Sequence, residues 1–311
     1  MADIKLNELN RIIEDGKESA IALAEEKYHN RVGEIADYVA AHEKIKIIML
    51  AGPSGSGKTT SANLIADALR NRGEECMVVS LDDFYRDSTD PRYPRRADGE
   101  RDFECPEALH LDELSNTLKL ISGGKAFCLP RYDFKTAKRA GVTEFSPVGH
   151  GCVIIEGLHA LNPAVTDGIP KDRVLKLFVS VSTNLCEGEE RIISGRKIRF
   201  VRRLVRDSIY RAASAERTLE MWRHVLSAED IYLYPYKSLA DVAFDTFHSF
   251  ELGVMRPFAL KLLSEELAKS DGYVRIVREA LLKILPIEEE LVPLDSLIRE
   301  FIPGGKYESL Y

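Results

Sequence analysis

The chain has 311 residues and a formal net charge of −7, with 45% hydrophobic and 30% charged residues. This composition is typical of an ordinary soluble protein with a large core, and the negative charge argues against a nucleic-acid partner. The five cysteines are scattered and include no C-x-x-C pair, which disfavours a disulfide framework or zinc site and predicts a cytoplasmic protein. No stretch reaches the roughly 20 apolar residues of a membrane span, so no membrane partner is expected.

The N-terminal residues 4–44 place apolar side chains at helical spacing, with charged residues on the intervening faces. This pattern predicts two amphipathic helices that pack on the rest of the protein or on a partner. Residues 1–44 are therefore expected to form an N-terminal helical unit without catalytic groups.

The next segment, Gly52-Pro-Ser-Gly-Ser-Gly-Lys58-Thr59, follows an apolar strand-like run and precedes a helix-like run. A strand, a glycine-rich turn and a helix N-terminus are the context of a phosphate-binding loop. Lys58 would reach the β- and γ-phosphates, and the Thr59 hydroxyl would ligate Mg²⁺. The chain is thus predicted to bind a nucleoside triphosphate. The residues predicted to bind it are Gly52, Pro53, Ser54, Gly55, Ser56, Gly57, Lys58, Thr59 and Thr60.

Two acids, Asp82 and Asp83, follow directly after a second buried strand at residues 76–80. Open α/β sheets bind ligands at the carboxyl ends of their strands, and this is where the two acids fall. An Asp-Asp pair is also common in solvated turns. The position favours function, with Asp82 as a metal ligand and as the base or orienting group for an acceptor hydroxyl.

Two stretches between the second and third strands carry no chemistry of their own. Residues 86–103 are polar and aperiodic, which predicts a mobile loop over the site. Residues 120–125, Leu-Ile-Ser-Gly-Gly-Lys, superficially resemble the Ser-Gly-Gly element of transport ATPases. An extended run follows them, however, so we interpret the glycines as a helix end and turn.

Three further strands are predicted at residues 152–157, 174–181 and 239–245. The first ends in Glu156, in the manner of a Walker-B acid beside the metal. Thr59, Asp82 and Glu156 are therefore the predicted Mg²⁺ ligands. The element order predicts an α/β fold, a three-layer P-loop NTPase with a mainly parallel sheet, a helical lid, and added N- and C-terminal helices.

A basic cluster occupies residues 191–211, and four of its arginines share one helical face. A solvated helix face or an RNA-binding patch would show the same pattern. After a phosphate loop it favours phosphate clamping, with Arg199, Arg202 and Arg206 closing a lid of about residues 185–212. Residues 45–250 would form the phosphate-loop domain, and the helical residues 251–311 a cap or an oligomer surface.

The motifs together resemble the uridine/cytidine kinase family and, more broadly, the phosphoribulokinase and pantothenate kinase group. They are Gly-Pro-Ser-Gly-Ser-Gly-Lys-Thr-Thr, Ser-Leu-Asp-Asp-Phe-Tyr, Pro-Arg-Tyr-Asp-Phe, Ile-Ile-Glu-Gly and the run from Arg199 to Asp207. The resemblance spans roughly residues 45–250. It implies that Asp82 lies beside a nucleoside 5′-hydroxyl, that Tyr85 and Tyr132 line the nucleoside pocket, that Glu104 receives the ribose hydroxyls, and that Arg199 and Arg202 act catalytically in the lid.

One departure from that family concerns the base. After Tyr-Asp-Phe the family places a histidine that reads the pyrimidine edge, and the matching residue here is Ala137. The expected activity is ATP- and Mg²⁺-dependent phosphorylation of a small molecule, in the first place a nucleoside. A phosphorylated sugar or pantothenate-like acid remains an alternative acceptor, because Arg139 and its basic neighbours suit an anion. A non-catalytic nucleotide-binding module and an RNA-binding protein are the other functions that stay open. The preference between ATP and GTP and the formation of a homo-oligomer also stay open. A regulatory GTPase is disfavoured, because the Asn-Lys-x-Asp element that reads guanine is missing.

Overall fold

The computed structural model describes residues 3–96, 99–146 and 151–310. The elements of the first half are β1 (Asp3–Lys5), α1 (Leu6–Asp15), α2 (Lys17–Ala40), β2 (Ile47–Ala51), α3 (Lys58–Arg70), β3 (Glu75–Ser80), α4 (Leu111–Ser122), β4 (Phe127–Asp133), β5 (Lys138–Phe145) and β6 (Gly151–Glu156). Those of the second half are α5 (Pro163–Thr166), β7 (Val174–Ser180), β8 (Asn184–Glu187), β9 (Glu190–Ile193), α6 (Gly195–Arg211), α7 (Ala215–Tyr232), β10 (Val242–Asp245), α8 (Glu251–Leu262), α9 (Glu265–Ser270) and α10 (Gly272–Leu282).

A five-stranded parallel sheet in the order β10-β7-β2-β6-β3 forms the centre of the protein. Its strands are the five apolar runs predicted from the sequence, so the predicted α/β class is confirmed. In the register, Glu156 at the end of β6 lies opposite Leu50 of β2 and Ser80 of β3. The carboxyl ends of these three strands therefore converge on one edge of the sheet, where open α/β folds bind ligands.

The two predicted N-terminal helices are present as α1 and α2, and they share the main hydrophobic cluster with the sheet. Leu9 and Ile35 from these helices, Ile154 from β6, and Leu252 and Val277 from the C-terminal helices all belong to it. Because one cluster unites the three parts of the chain, the added helices share a single core with the sheet. The boundaries at residues 44 and 250 stay a prediction.

The region predicted as a lid has a different construction. Strands β8 and β9 form a hairpin, and β8 also pairs in parallel with the N-terminal strand β1. Helix α6 buries its apolar face completely, including Ile198, Phe200 and Val201. Residues 184–211 are therefore tied into the core and a small sheet, and they do not form a separate lid over the site.

The antiparallel pair β4 and β5 projects as a hairpin beside the sheet edge. Ala137 lies between the two strands in the left-handed backbone region, with φ of 54°. Helix α4 ends at Ser122 and is followed by Gly123 as its C-cap, so the interpretation of the Ser-Gly-Gly run as a helix end is confirmed. Within the part of the chain that the structure describes, no helix is both long enough and apolar enough to cross a membrane.

Candidate active site

The phosphate-binding loop lies between β2 and α3. Gly57 is the N-cap of α3 and adopts a φ of 83°, which an L side chain rarely accepts. A Cβ atom on Gly52 would overlap the carbonyl oxygen of Val179 on the neighbouring strand. Close packing therefore requires a glycine at Gly52, at the start of the loop. The backbone conformation requires one at Gly57, at its end.

Three consecutive carbonyl groups of this loop are held by side chains from elsewhere in the chain. The carbonyl of Ser54 accepts from Arg199 Nη1 at 2.7 Å, and that of Gly55 accepts from Arg202 Nη1 at 3.3 Å. The carbonyl of Ser56 accepts from the Thr246 hydroxyl at 2.8 Å. These bonds hold the loop backbone in one conformation, which lowers the ordering cost of ligand binding.

Arg199 and Arg202 are completely buried, at 1% and 0% exposure. Arg199 forms a two-bond ion pair with Glu229, both distances being 2.8 Å, and Arg202 forms one with Glu251 at 2.9 and 2.6 Å. A buried guanidinium must satisfy its charge and donors within the protein, and these two do so completely. The structure therefore corrects their expected role as catalytic lid residues: they are positioning residues that hold the phosphate loop.

Arg203 lies on the side of α6 that faces the carboxylates of the site. Its Nη1 donates to the Ser54 hydroxyl at 2.9 Å, and its Nε donates to Asp207 Oδ2 at 3.1 Å. Burial lowers its pKa, and the charge of Glu104 opposes that effect. Arg206 and Arg211 pair with the same Asp207. The charge of Arg203 opposes the raised pKa of Glu104, and that of Arg211 opposes the raised pKa of Asp82. The predicted site residues omitted both of these arginines.

Asp82, Lys58 and Glu156 come together at the edge where β2, β3 and β6 end. Asp82 remains accessible to solvent. The protein around it removes part of its hydration and so raises its pKa, while the charge of Lys58 lowers it. Burial raises the pKa of Glu156 to about 7, with Lys58 opposing and Asp82 reinforcing the shift. The three predicted groups thus interact electrostatically around one position.

The predicted Mg²⁺ ligands have the chemistry that this ion requires. The Thr59 hydroxyl lies 3.5 Å from Glu156 Oε1, and the two neighbouring carboxylates of Asp82 and Glu156 repel each other. Oxygen ligands suit Mg²⁺, which takes few carboxylates and completes its shell with water and substrate phosphates. The described residues contain no group of three or more His, Cys, Asp or Glu arranged for a metal.

The predicted acceptor residues form an aromatic and acidic wall next to Asp82. The Tyr85 ring centroid lies 5.7 Å from that of Tyr132, and the Tyr85 hydroxyl donates to the Phe103 carbonyl at 2.9 Å. Burial raises the pKa of Tyr85, and the charges of Asp82 and Glu104 reinforce the shift. Burial also raises the pKa of Glu104 to about 7. The structure therefore brings Asp82, Tyr85, Glu104 and Tyr132 together.

Arg139 is placed differently from the other predicted acceptor residues. Its guanidinium donates two hydrogen bonds to Glu113, at 2.8 and 2.7 Å, and its backbone N–H donates to Asp87. A carboxylate thus already neutralises the charge that was expected to attract an anionic acceptor. Arg139 joins β5 to α4, and the structure does not bring it to the Asp82 site.

Sequence reasoning missed four residues that shape the phosphate loop: Thr246, Glu229, Glu251 and Glu300. Both Glu229 and Glu251 are 0% exposed. The available signal was an acid adjoining apolar residues, since Glu251 directly precedes Leu252-Gly-Val-Met. Carboxylates are almost never fully buried without a partner, so these positions indicated buried ion pairs but not which arginines they bind.

Comparison with known proteins identifies the family. Residues 47–252 match the family model described as Phosphoribulokinase / Uridine kinase family. Uridine kinase-like protein 5 of Arabidopsis thaliana is 30% identical over 216 residues, which are 67% of this chain and 42% of that protein. A uridine kinase of Staphylococcus aureus is 30% identical over 198 residues, which are 63% of this chain and 85% of that protein.

A solved structure described as a possible uridine kinase from Bacillus stearothermophilus also matches. It shares 20% identity and a TM-score of 0.45, over 70% of this chain and 98% of its own. The family match covers about two thirds of the chain and includes every predicted site residue. The sequence-based prediction of a P-loop small-molecule kinase is confirmed, and the chain belongs to the Phosphoribulokinase / Uridine kinase family.

Proposed function

We propose that this protein transfers the γ-phosphoryl group of ATP to the 5′-hydroxyl of a nucleoside. The observation that carries the proposal is the position of Asp82, which interacts electrostatically with Lys58 of the phosphate loop on one side. On the other side it influences Tyr85 and Glu104 of the aromatic and acidic wall. A carboxylate between a phosphate cradle and a pocket is the arrangement that phosphoryl transfer to an alcohol requires.

The donor would lie on the loop from Gly52 to Thr60. Backbone N–H groups of the loop and the N-terminus of α3 would bind the phosphates, and Lys58 would neutralise the terminal ones. Arg203 and Arg211 would add positive charge near the transferring group. Mg²⁺, held by Thr59, Asp82 and Glu156, would neutralise phosphate charge when bound.

The acceptor hydroxyl would approach Asp82. Partial desolvation raises the pKa of this carboxyl, which makes it a stronger base than a fully hydrated aspartate. It would orient the hydroxyl and accept its proton as the new P–O bond forms. Because the site orders its groups before reaction, catalysis would come chiefly from position and electrostatics.

The nucleoside would lie against the aromatic rings of Tyr85 and Tyr132. Aromatic faces stack on bases of any kind, so these rings supply affinity with little selectivity. Glu104 would accept hydrogen bonds from the ribose hydroxyls. The names of the relatives support uridine, but discrimination between bases depends on buried polar contacts. The family position for such a contact holds Ala137, so the choice of base stays open.

The alternative of an anionic acceptor has less support. It depended on Arg139 and its basic neighbours, and the guanidinium of Arg139 is paired with Glu113. The alternative of a non-catalytic nucleotide-binding module does not account for the wall of acceptor residues beside Asp82. A kinase for an anionic acceptor would turn over only with acceptors such as phosphorylated sugars or pantothenate. A binding module would bind ATP without any turnover.

An assay of ADP formation with Mg-ATP and a panel of acceptors tests the proposal. The panel should contain the common ribonucleosides and deoxyribonucleosides, phosphorylated sugars and pantothenate. We expect ADP to form with one or more nucleosides, with the phosphate on the 5′-oxygen by NMR. Turnover confined to the anionic acceptors, or ATP binding without any turnover, would contradict the nucleoside kinase.

A further inference from the structure

Residues 288–303, close to the C-terminus, cover the phosphate loop. We call them the closing segment. It has little regular structure and is organised around its own Arg299, which is 8% exposed. The guanidinium of Arg299 donates to the carbonyls of Glu289, Val292 and Pro293, and also to that of Pro303. These bonds fold the segment into a compact unit that presents Leu297 and Glu300 on one side.

Both of these side chains lie on the N-terminus of α3. Glu300 Oε2 accepts hydrogen bonds from the Thr60 hydroxyl at 2.8 Å and from the Thr60 backbone N–H at 3.3 Å. Leu297 covers the loop glycine, since a Cβ atom on Gly57 would lie 2.7 Å from the Leu297 Cδ1 atom. Thr60 and Glu300 are 1% and 4% exposed, so the contact is sealed from solvent.

The Thr60 N–H belongs to the first turn of α3, whose N–H groups have no partner within the helix. Such groups, together with the helix dipole, form the anion site that a phosphate loop uses. The carboxylate of Glu300 is an anion of this kind supplied by the chain itself. It also lies 4.0 Å from the guanidinium of Arg206 in α6.

We propose that the closing segment is an autoinhibitory element, in which Glu300 competes with a phosphate group of the nucleotide for Thr60. Tight nucleotide binding then requires the Glu300 carboxylate to turn away from Thr60. The inference rests on the proposed function only in requiring that the loop binds a nucleoside triphosphate. The inference goes beyond that function, because here the affinity for the nucleotide is regulated by the closing segment. That segment lies outside the family match, which ends at residue 252.

Only the Glu300 side chain has to move, because the segment itself is part of the core. Its residues Leu297, Ile298 and Phe301 are completely buried in the main hydrophobic cluster. At its first residue, Glu288 pairs with Lys17 of α2 at 2.8 Å. After it, Lys306 and Tyr307 both bind Asp67 in α3, each at 2.6 Å. The backbone of the segment therefore stays in place while the Glu300 carboxylate turns from Thr60 towards Arg206, which lies 4.0 Å away.

Calorimetric titration with a non-hydrolysable ATP analogue and Mg²⁺ tests the competition. Glu300→Gln keeps the shape of the side chain and removes its charge. Because hydrogen bonds to a charged group are the strong ones, we expect this variant to bind the analogue about tenfold or more tightly than the wild type. The matched control is Glu308→Gln, which removes a carboxylate of the same C-terminal tail that accepts from Tyr210 at 3.2 Å. We expect it to bind like the wild type.

The outcomes separate the two proposals. If all three proteins bind the analogue with equal affinity, or Glu300→Gln binds it more weakly, the inference is wrong and the proposed donor site stands. If none of them binds it, both are wrong.

Discussion

Arg202 donates hydrogen bonds from Nε and Nη2 to the two carboxylate oxygens of Glu251, at 2.9 and 2.6 Å, with neither side chain exposed. The next residue, Arg203, is partly exposed and donates to the Ser54 hydroxyl. Two adjacent arginines of one helix thus have separate tasks. Arg202 holds the phosphate loop from within the core, and Arg203 faces the site.

Replacing Arg202 with methionine should destabilise the protein by about 3–5 kcal/mol, because it leaves the Glu251 charge buried without a partner. Chemical denaturation would measure the change in the free energy of unfolding. Arg196→Gln is the control, since its pair with Asp230 is exposed and should contribute no more than about 1 kcal/mol. Equal stability of the two variants would contradict the structural role of Arg202.

Replacing Arg203 with glutamine should instead lower kcat by about a hundredfold or more, the usual loss on removing one donor aimed at developing charge. Its stability should change little, because Asp207 retains Arg206 and Arg211 as partners. Steady-state kinetics and denaturation of the same preparation would test both parts. A stable variant with normal kcat would exclude Arg203 from the transition state.

Asp82→Asn should lower turnover by about 10²–10⁴-fold, because it removes a general base. Binding of an ATP analogue should persist, since the loop and its clamp are untouched. Asp83→Asn is the neighbouring control. The carboxylate of Asp83 accepts the backbone N–H of Tyr132 at 3.2 Å and thereby positions the hairpin, so its loss should affect the KM for the acceptor more than kcat. Full turnover of Asp82→Asn would remove that residue from the mechanism.

Glu25 in α2 should make stability depend on pH. Burial raises its pKa from 4.5 to about 7, and its Oε2 lies 3.9 Å from Nε2 of the buried His248. At a pH between these two pKa values the folded state keeps a proton that the unfolded state has lost. The free energy of unfolding therefore falls as the pH rises. The loss from this group should be about 3 kcal/mol and complete above pH 7 to 8.

Glu25→Gln should remove this part of the pH dependence. Denaturation of the wild type and the variant at pH 5 and pH 8 would show it, since the other titrating groups are common to both proteins and cancel in the difference. We expect the free energy of unfolding of the variant, taken relative to that of the wild type, to rise by about 3 kcal/mol from pH 5 to pH 8. A stability difference between variant and wild type that does not change with pH would show that the pKa of Glu25 is not shifted in the folded protein.

The residues that could be recognised from the sequence are those whose chemistry lies in a short, continuous segment. The phosphate loop is one such segment, because a strand, a glycine turn and a helix start are adjacent in the chain. Glu156 ends one apolar strand and Asp82 comes two residues after another, and parallel strands bring their carboxyl ends to one edge of the sheet. The fold class and the acid pair at its edge were therefore predictable.

The partners of the arginines could not be predicted in this way. Helical spacing places Arg199 and Arg202 on one face of α6, but it does not reveal what packs against that face. Their carboxylates lie 30 and 49 residues further along the chain, on α7 and α8. Only the packing of those helices decides that the two charges are buried and paired and so cannot reach a substrate.

The sequence alone thus determined the sheet, the phosphate loop and the acids at the strand ends, because periodicity and local motifs encode them. Tertiary structure alone decided that Glu300 lies on Thr60, 240 residues away, and that Arg139 pairs with Glu113. Contacts between distant segments depend on how whole elements pack. No local pattern records that packing, since the free energy that selects it is distributed over the buried surface of the entire core.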